Sequence, residues 1–334
     1  MRLLVLGGTK FVGRCVVEEA LARGDQVTTV HRGVSGPPAA GARTVQVDRR
    51  DSQAFAAALG AGEWDVVIDT WASAPVVVRD SARRLRDRVA HYGYVSSRSV
   101  YRWPMTPGSD ETAPVVDGDP GSAEDRDYAA AKRGAELAVL ESFPDRALLA
   151  RAGLILGPYE DVGRLPWWLD RVSRGGRVPA PGPADRKLQY VDARDLAAWM
   201  LGAAQRGVSG ALNAVSRPGH ATMGQLLEAC NAVTGAAAEL VWLSPDVVEA
   251  AGVTGWTDLP IWVPPSGELA ALHDGDVRAA YAGGLTCRPV VETVADTWGW
   301  LRTAGRPAPR ADRPPLGLPP DVEQALAAAA DAVA

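Results

Sequence analysis

Long apolar runs are missing from this 334-residue chain. No stretch approaches the ~18 to 20 residues that a helix needs to cross a bilayer, so no membrane helix is expected. The opening run from Met1 to Leu6 is apolar for only a few residues. It then meets glycines and a helical pattern rather than a small-residue cleavage site, which predicts a cytoplasmic protein. Cysteine is scarce: Cys15, Cys230 and Cys287 are odd in number and far apart, which argues against both a disulfide framework and a metal site. An excess of positive charge is also lacking. The 35 basic residues against 40 acidic ones leave a net charge of -5, the wrong sign for a protein whose main partner is nucleic acid. Lysine is nearly absent, since all the basic residues except Lys10, Lys132 and Lys187 are arginines. Where lysine does occur, it is expected to be there for its chemistry. No internal repeat is visible.

What is present is the composition of an ordinary globular protein, 47% apolar and 22% charged, in a chain longer than one compact core usually holds. The N-terminal half alternates short β-like runs with longer helical ones, the mark of parallel βαβ units. The pattern predicts strands over 2–6, 26–31, 44–47, 64–69, 92–96 and 147–152. Helices are predicted over 12–23, 52–59, 76–88 and 127–142, with Gly24 stopping the first. A polar, proline-rich loop occupies about 103–124. Beyond Gly157 the text changes to short helices and loops rich in Gly, Pro and Trp, yet a helix start at Asp192 and a strand over 211–215 still fit the first pattern. The expected fold class is therefore α/β. It is a Rossmann doubly wound parallel sheet (1–155 plus about 190–216) with a smaller, interleaved C-terminal substrate lobe (156–189 and 217–303). A Pro/Arg-rich linker and an Ala-rich helix fill 304–334, the helix being a packing or oligomer element, with a homodimer as the candidate assembly.

Gly7-Gly8-Thr9-Lys10-Phe11-Val12-Gly13 lies directly between the first strand and the first helix. Gly7 permits a tight turn, Gly8 lets the backbone approach a cofactor, and Gly13 lets the helix pack close to the sheet. The helix N-terminus then offers free N–H groups and partial positive charge to a pyrophosphate. Lys10 stands where a middle glycine is common, either as a phosphate partner or pointing into solvent. An Asp or Glu at the end of the second strand would accept bonds from the adenosine ribose and repel a 2′-phosphate. Here the chain reads Val30-His31-Arg32-Gly33, and Arg32 can stack on adenine or pair with phosphate, so NADP(H) is favoured over NAD(H). Asp48, ending the third strand, suits the adenine amino group or a helix cap.

Tyr128 and Lys132 are four residues apart, which puts a phenol and an ammonium on one helix face. A tyrosine with pKa near 10 is a poor acid or base at neutral pH, and a cation held close stabilises its phenolate. Upstream, the fifth strand ends in Ser96-Ser97-Arg98-Ser99-Val100-Tyr101, at the sheet edge where such folds bind ligands. Ser97, with Ser99 in reserve, can polarise a substrate carbonyl.

These segments, with Arg151-Ala152-Gly153-Leu154-Ile155-Leu156-Gly157-Pro158 and Tyr190-Val191-Asp192-Ala193-Arg194-Asp195, resemble an extended or atypical short-chain dehydrogenase/reductase of the NAD(P)-dependent epimerase/dehydratase superfamily. The resemblance covers about residues 1–216. It implies that Tyr128 is the general acid/base, that Lys132 holds the nicotinamide ribose and depresses the tyrosine pKa, and that Ser97 polarises the substrate carbonyl. It also implies that Thr70, Trp71 and Ala72 line the cofactor and that Gly153 and Leu154 lie near the nicotinamide. Substrate contacts are expected from Ser99, Trp103, Trp167 and Trp168, part of a tryptophan-rich set that includes Trp71, Trp242, Trp256 and Trp262. Nucleotide-sugar members of the superfamily carry an arginine where this chain has Leu188, which weakens a sugar-nucleotide substrate. The leading expectation is a reductase or dehydrogenase for a small carbonyl or alcohol, in specialised metabolism. An epimerase or dehydratase with a tightly held cofactor is second, and a non-catalytic binding protein third.

Overall fold

The computed structural model describes residues 1–310 and 313–329; the last five residues of the predicted terminal segment lie outside them. The strands are β1 (Arg2–Leu6), β2 (Gln26–His31), β3 (Arg43–Gln46), β4 (Trp64–Asp69), β5 (Val89–Ser97), β6 (Ala147–Ala152), β7 (Leu154–Leu156), β8 (Arg177–Pro181), β9 (Lys187–Leu188), β10 (Tyr190–Asp192), β11 (Gly210–Ala214), β12 (Ala221–Thr222) and β13 (Glu239–Leu243). The helices are α1 (Phe11–Ala22), α2 (Ser52–Leu59), α3 (Pro75–Leu85), α4 (Tyr128–Ser142), α5 (Arg164–Ser173), α6 (Ala193–Gln205), α7 (Met223–Thr234), α8 (Pro245–Ala250), α9 (Arg278–Ala282), α10 (Val290–Ala304) and α11 (Pro320–Ala329).

Seven strands form one parallel sheet in the order β11-β6-β5-β4-β1-β2-β3. Parallel strands are covered on both faces, and β1 shows why its text is continuously apolar. Leu3 and Val5 enter the core beneath α1 and α6, while Leu4 and Leu6 enter the opposite core beneath α3 and α4. The strand order reverses between β1 and β4, and the carboxyl ends of these strands open the crevice where doubly wound sheets bind ligands.

A second hydrophobic core gathers β7, α5, β8, α7, β13 and parts of α10 and α11. Trp168 and Trp262 anchor it, fully enclosed, with their indole N–H groups donating to Pro260 O at 2.6 Å and Gly182 O at 3.1 Å. Burying an indole while satisfying its one donor is what a core position asks of tryptophan. The expectation that Trp168 contacts substrate is therefore corrected: it is a core residue. α11 packs within the chain, burying Leu326 in this core and pairing Glu323 with Arg171. Among the described residues, no helix is long and apolar enough to cross a membrane.

Candidate active site

The turn from β1 into α1 is built around glycine. Gly7 and Gly8 take φ +125° and +103°, which L side chains rarely adopt, and a Cβ on Gly13 would lie 2.7 Å from the Gly8 amide nitrogen. The loop therefore brings bare backbone and the start of α1 to the switch point, a cradle that fits a pyrophosphate. Thr9 and Val12 complete it, and Phe11 opens α1 at φ +36°, a strained value for an aromatic residue. Lys10 does not simply extend into solvent, since its ammonium lies 3.7 Å from Asp161.

At the end of β2, His31 Nδ1 accepts the Gly33 N–H at 3.1 Å, while its buried Nε2 has no partner among the described residues. Burial pushes the imidazole below its usual pKa, so it is neutral at pH 7. Arg32 is exposed beside it. Asp48 does not cap a helix: its carboxylate holds Arg50, 2.6 Å away, and that hydrogen bond keeps it below the usual carboxylate range. The cap of α2 falls to Asp51.

Asp127 caps α4 by accepting the Ala130 N–H, which starts the helix at Tyr128. Ser97 closes β5; its hydroxyl donates to Ser99 Oγ at 3.1 Å and engages the Tyr128 phenol. Ser99 therefore supports Ser97. Tyr128 keeps 39% of its surface exposed, so its recess is open to solvent. Burial raises its pKa, and the Ser97 hydrogen bond with the charges of Arg313, Arg164 and Arg310 pull it back. One helical turn on, Lys132 is 3% exposed, and its Nζ lies 6.0 Å from the Tyr128 ring centre. Two of its N–H bonds go to Trp71 O and Val95 O, each at 2.7 Å. The third has no protein acceptor among the described residues, as a ribose-holding ammonium requires.

Burial pulls Lys132 down from the ordinary 10.5 to about 7, against Asp69 and Glu136, which pull it up. Between pH 7 and 10.5 the unfolded chain thus binds more protons at this site than the folded one, and stability rises with pH across that window. Lys132→Met is expected to flatten the rise. Urea unfolding of both proteins at pH 7 and pH 9 checks it, and identical pH slopes would refute the shift.

Beneath the segment Thr70–Ala72 lies an ion pair that no local sequence signal marks. Arg49 forms a bidentate pair with Asp69 at 2.8 and 2.7 Å, both fully buried, and also donates to Ser81. Asp69 accepts the Tyr92 hydroxyl at 2.6 Å and the Trp71 N–H at 2.9 Å, and Arg49 lies 5.3 Å from the Trp71 ring. This ion pair sets Trp71, whose carbonyl in turn accepts from Lys132 and Tyr94. Thr70 is tied to Leu6 O, and Ala72 follows Trp71 on the same loop. The signal was present in sequence as an arginine after β3 and an aspartate ending β4, but nothing local joins them.

Gly153 packs on Val215 beside Arg98, whereas the Leu154 side chain enters the second core, leaving only its backbone to face a cofactor. Trp103 packs with Tyr101, Met105 and Ala271. Trp167 is half-buried and lies edge-on to Trp168. It lines a cavity of about 290 Å³ with Asp161, Arg164 and Trp256. The other wall is formed by 306–310 and 313–316, between α10 and α11. The sequence reading took that stretch as a linker; it is part of a cavity wall.

A dinucleotide cradle at the switch point, followed by Ser, Tyr and Lys drawn together at the end of β5, defines an NAD(P)-dependent enzyme of the short-chain dehydrogenase/reductase type. The chain belongs to the NAD-dependent epimerase/dehydratase family, whose model matches residues 3–215. A sequence comparison with curated proteins finds no match. Among solved structures it resembles an epimerase-like protein from Burkholderia cenocepacia J2315, with 21% identity, 90% of this chain and 98% of that one covered, and TM-score 0.69. It also resembles the UDP-glucose 4-epimerase of Thermotoga maritima solved with UDP-glucose (19% identity, 91% and 99% covered, TM-score 0.64). The enzyme WbmH of Bordetella bronchiseptica, in complex with NAD+, is similar too (20% identity, 91% and 99% covered, TM-score 0.63).

Proposed function

We propose that the protein is an NADP(H)-dependent oxidoreductase that interconverts a small carbonyl compound and its alcohol. The nicotinamide supplies the hydride acceptor or donor. The Tyr128 hydroxyl gives a proton to the carbonyl oxygen during reduction and takes it back during oxidation. Ser97 donates a hydrogen bond to the same oxygen, where negative charge grows. Lys132 stabilises the phenolate electrostatically and presents its remaining N–H to the nicotinamide ribose. The observation that carries this reading is the buried Lys132 ammonium 6.0 Å from the Tyr128 ring centre, one helical turn from the phenol that Ser97 faces. Fold alone would not carry it.

NADP(H) preference rests on Arg32, exposed at the end of β2 with no carboxylate in that place. Arg32→Asp is expected to weaken NADP(H) binding about tenfold or more, the loss of a charge-assisted phosphate contact, and to favour NAD(H) relatively. Titrating both cofactors by fluorescence checks it, and an unchanged preference would refute the role.

A second reading, epimerase or dehydratase with transient oxidation, is favoured by the family match and by the neighbours solved with NAD+ or UDP-glucose. Against a nucleotide-sugar substrate stands Leu188, fully buried, while Arg186 gives its Nη2 to Pro264 O and Ala270 O. Mass spectrometry of the co-purifying nucleotide and a carbonyl panel separate the two. A cofactor that never exchanges, with no net NADPH consumption, would defeat the oxidoreductase reading.

A further inference from the structure

The cavity lined by Trp167 and Trp256 has a charge imbalance. Four arginines line it, Arg164, Arg306, Arg310 and Arg313, against one carboxylate, Asp161. Arg306 is paired with Asp170, and Asp161 serves both Arg310 at 3.3 Å and Lys10 at 3.7 Å. Arg164 and Arg313 form no ion pair among the described residues.

Arg164 is placed against its own stability. It is the first residue of α5, the end of a helix that disfavours a cation. The nearby carboxylate, Glu160, is spent on the backbone: it accepts the N–H groups of Arg164 at 2.7 Å and Leu165 at 3.2 Å. The guanidinium instead lies 4.4 Å from the Trp256 ring centre, and its buried Nε has no partner among the described residues. A guanidinium largely withdrawn from water with an unpaired donor is costly unless something else completes it. The remaining walls are apolar: Trp167, Trp256, Pro307, Pro309, Pro314 and Leu316. At about 290 Å³ the volume is at the lower end for ligand pockets, enough for one ring with a short substituent and too small for a nucleoside diphosphate sugar. Three of the lining arginines, Arg313, Arg164 and Arg310, act by charge on the Tyr128 phenol and lower its pKa.

We propose that this cavity is the substrate pocket for a small organic anion, in which Arg164 and Arg313 hold a carboxylate or phosphate and the flat faces of Trp167 and Trp256 hold an apolar, ring-bearing body. The reacting carbonyl or alcohol then lies at Tyr128. This rests on the oxidoreductase reading for what happens at Tyr128, but not for the binding itself. Residues 306–310 and 313–316 thereby act as a specificity element, supplying Arg313 from beyond the residues matched by the family model.

The test uses the full chain saturated with NADP+ and three matched unreactive probes: benzoate, phenyl phosphate and the neutral benzamide, titrated by calorimetry. At least one anion is expected to bind tenfold or more tightly than benzamide, and whichever of benzoate and phenyl phosphate does so names the group. Arg164→Gln and Arg313→Gln should each reduce that preference at least fivefold. Arg313 is exposed, so its variant keeps the test decisive if Arg164→Gln fails to fold. Benzamide binding as tightly as both anions, no binding of any probe, or a preference unchanged in Arg313→Gln would overturn the proposal. A panel of carbonyl substrates with and without a carboxylate separates the two readings. Turnover of neutral carbonyls alone sinks the anion pocket and leaves the oxidoreductase standing. Selective anion binding without NADPH oxidation by any carbonyl does the reverse.

Discussion

Tyr128→Phe is expected to lower kcat by about 10²- to 10⁴-fold, the usual worth of a positioned general acid or base, while cofactor affinity changes less than about twofold. The phenylalanine ring keeps the shape at the start of α4, where Asp127 rather than Tyr128 supplies the cap, so the helix has no reason to fray. Only the hydroxyl that meets Ser97 is removed. Lys132 is held by the carbonyls of Trp71 and Val95, independent of the phenol, so the ribose contact proposed for it is expected to survive. Steady-state rates together with NADP(H) titration check both halves. Activity within about threefold of the parent would take Tyr128 out of the mechanism.

The second large effect is structural. Arg49→Leu is expected to destabilise the fold by about 3–5 kcal/mol, because it strands the Asp69 carboxylate in the interior without its counter-charge. Arg49 and the Asp69 side chain are 5% and 0% exposed, so water cannot compensate. Desolvation alone would raise the Asp69 pKa, and the Arg49 guanidinium is the main reason that it stays low. With Arg49 removed, stability should fall further as pH rises above the ordinary carboxylate range, where the stranded group must ionise. Asp69→Asn/Arg49→Leu should recover part of the loss, since the remaining amide is neutral and can still accept from Tyr92 and Trp71. Urea unfolding measures all three proteins, and a loss under about 1 kcal/mol for Arg49→Leu would show that the pair is not the support of the Trp71 segment proposed here.

Much of the sheet could be read locally. The strands expected over 2–6, 26–31, 64–69 and 147–152 have those bounds in the structure, and the others lie within a few residues. A parallel strand buried on both faces writes itself as an unbroken apolar run, and the following helix writes its own period. The glycine loop and the four-residue Tyr–Lys spacing were visible for the same reason: each is set by contacts within one or two adjacent elements. Trp168 was misjudged because composition does not say whether an indole faces a ligand or a core. Asp48 was offered a helix cap that Asp51 takes, since competing carboxylates three residues apart look alike in sequence.

The sequence by itself determined the parallel αβ plan, the glycine turn from β1 into α1 and the placing of Tyr128 and Lys132 one turn apart on α4, because short-range periodicity and backbone sterics fix them. Tertiary structure alone decided that Arg49 meets Asp69, that the Arg164 guanidinium lies against Trp256, and that 306–310 and 313–316 wall a cavity with Trp167. Those pairings join residues 20 to more than 100 positions apart, and their energies depend on burial and mutual distance, quantities that exist only once the chain has closed on itself.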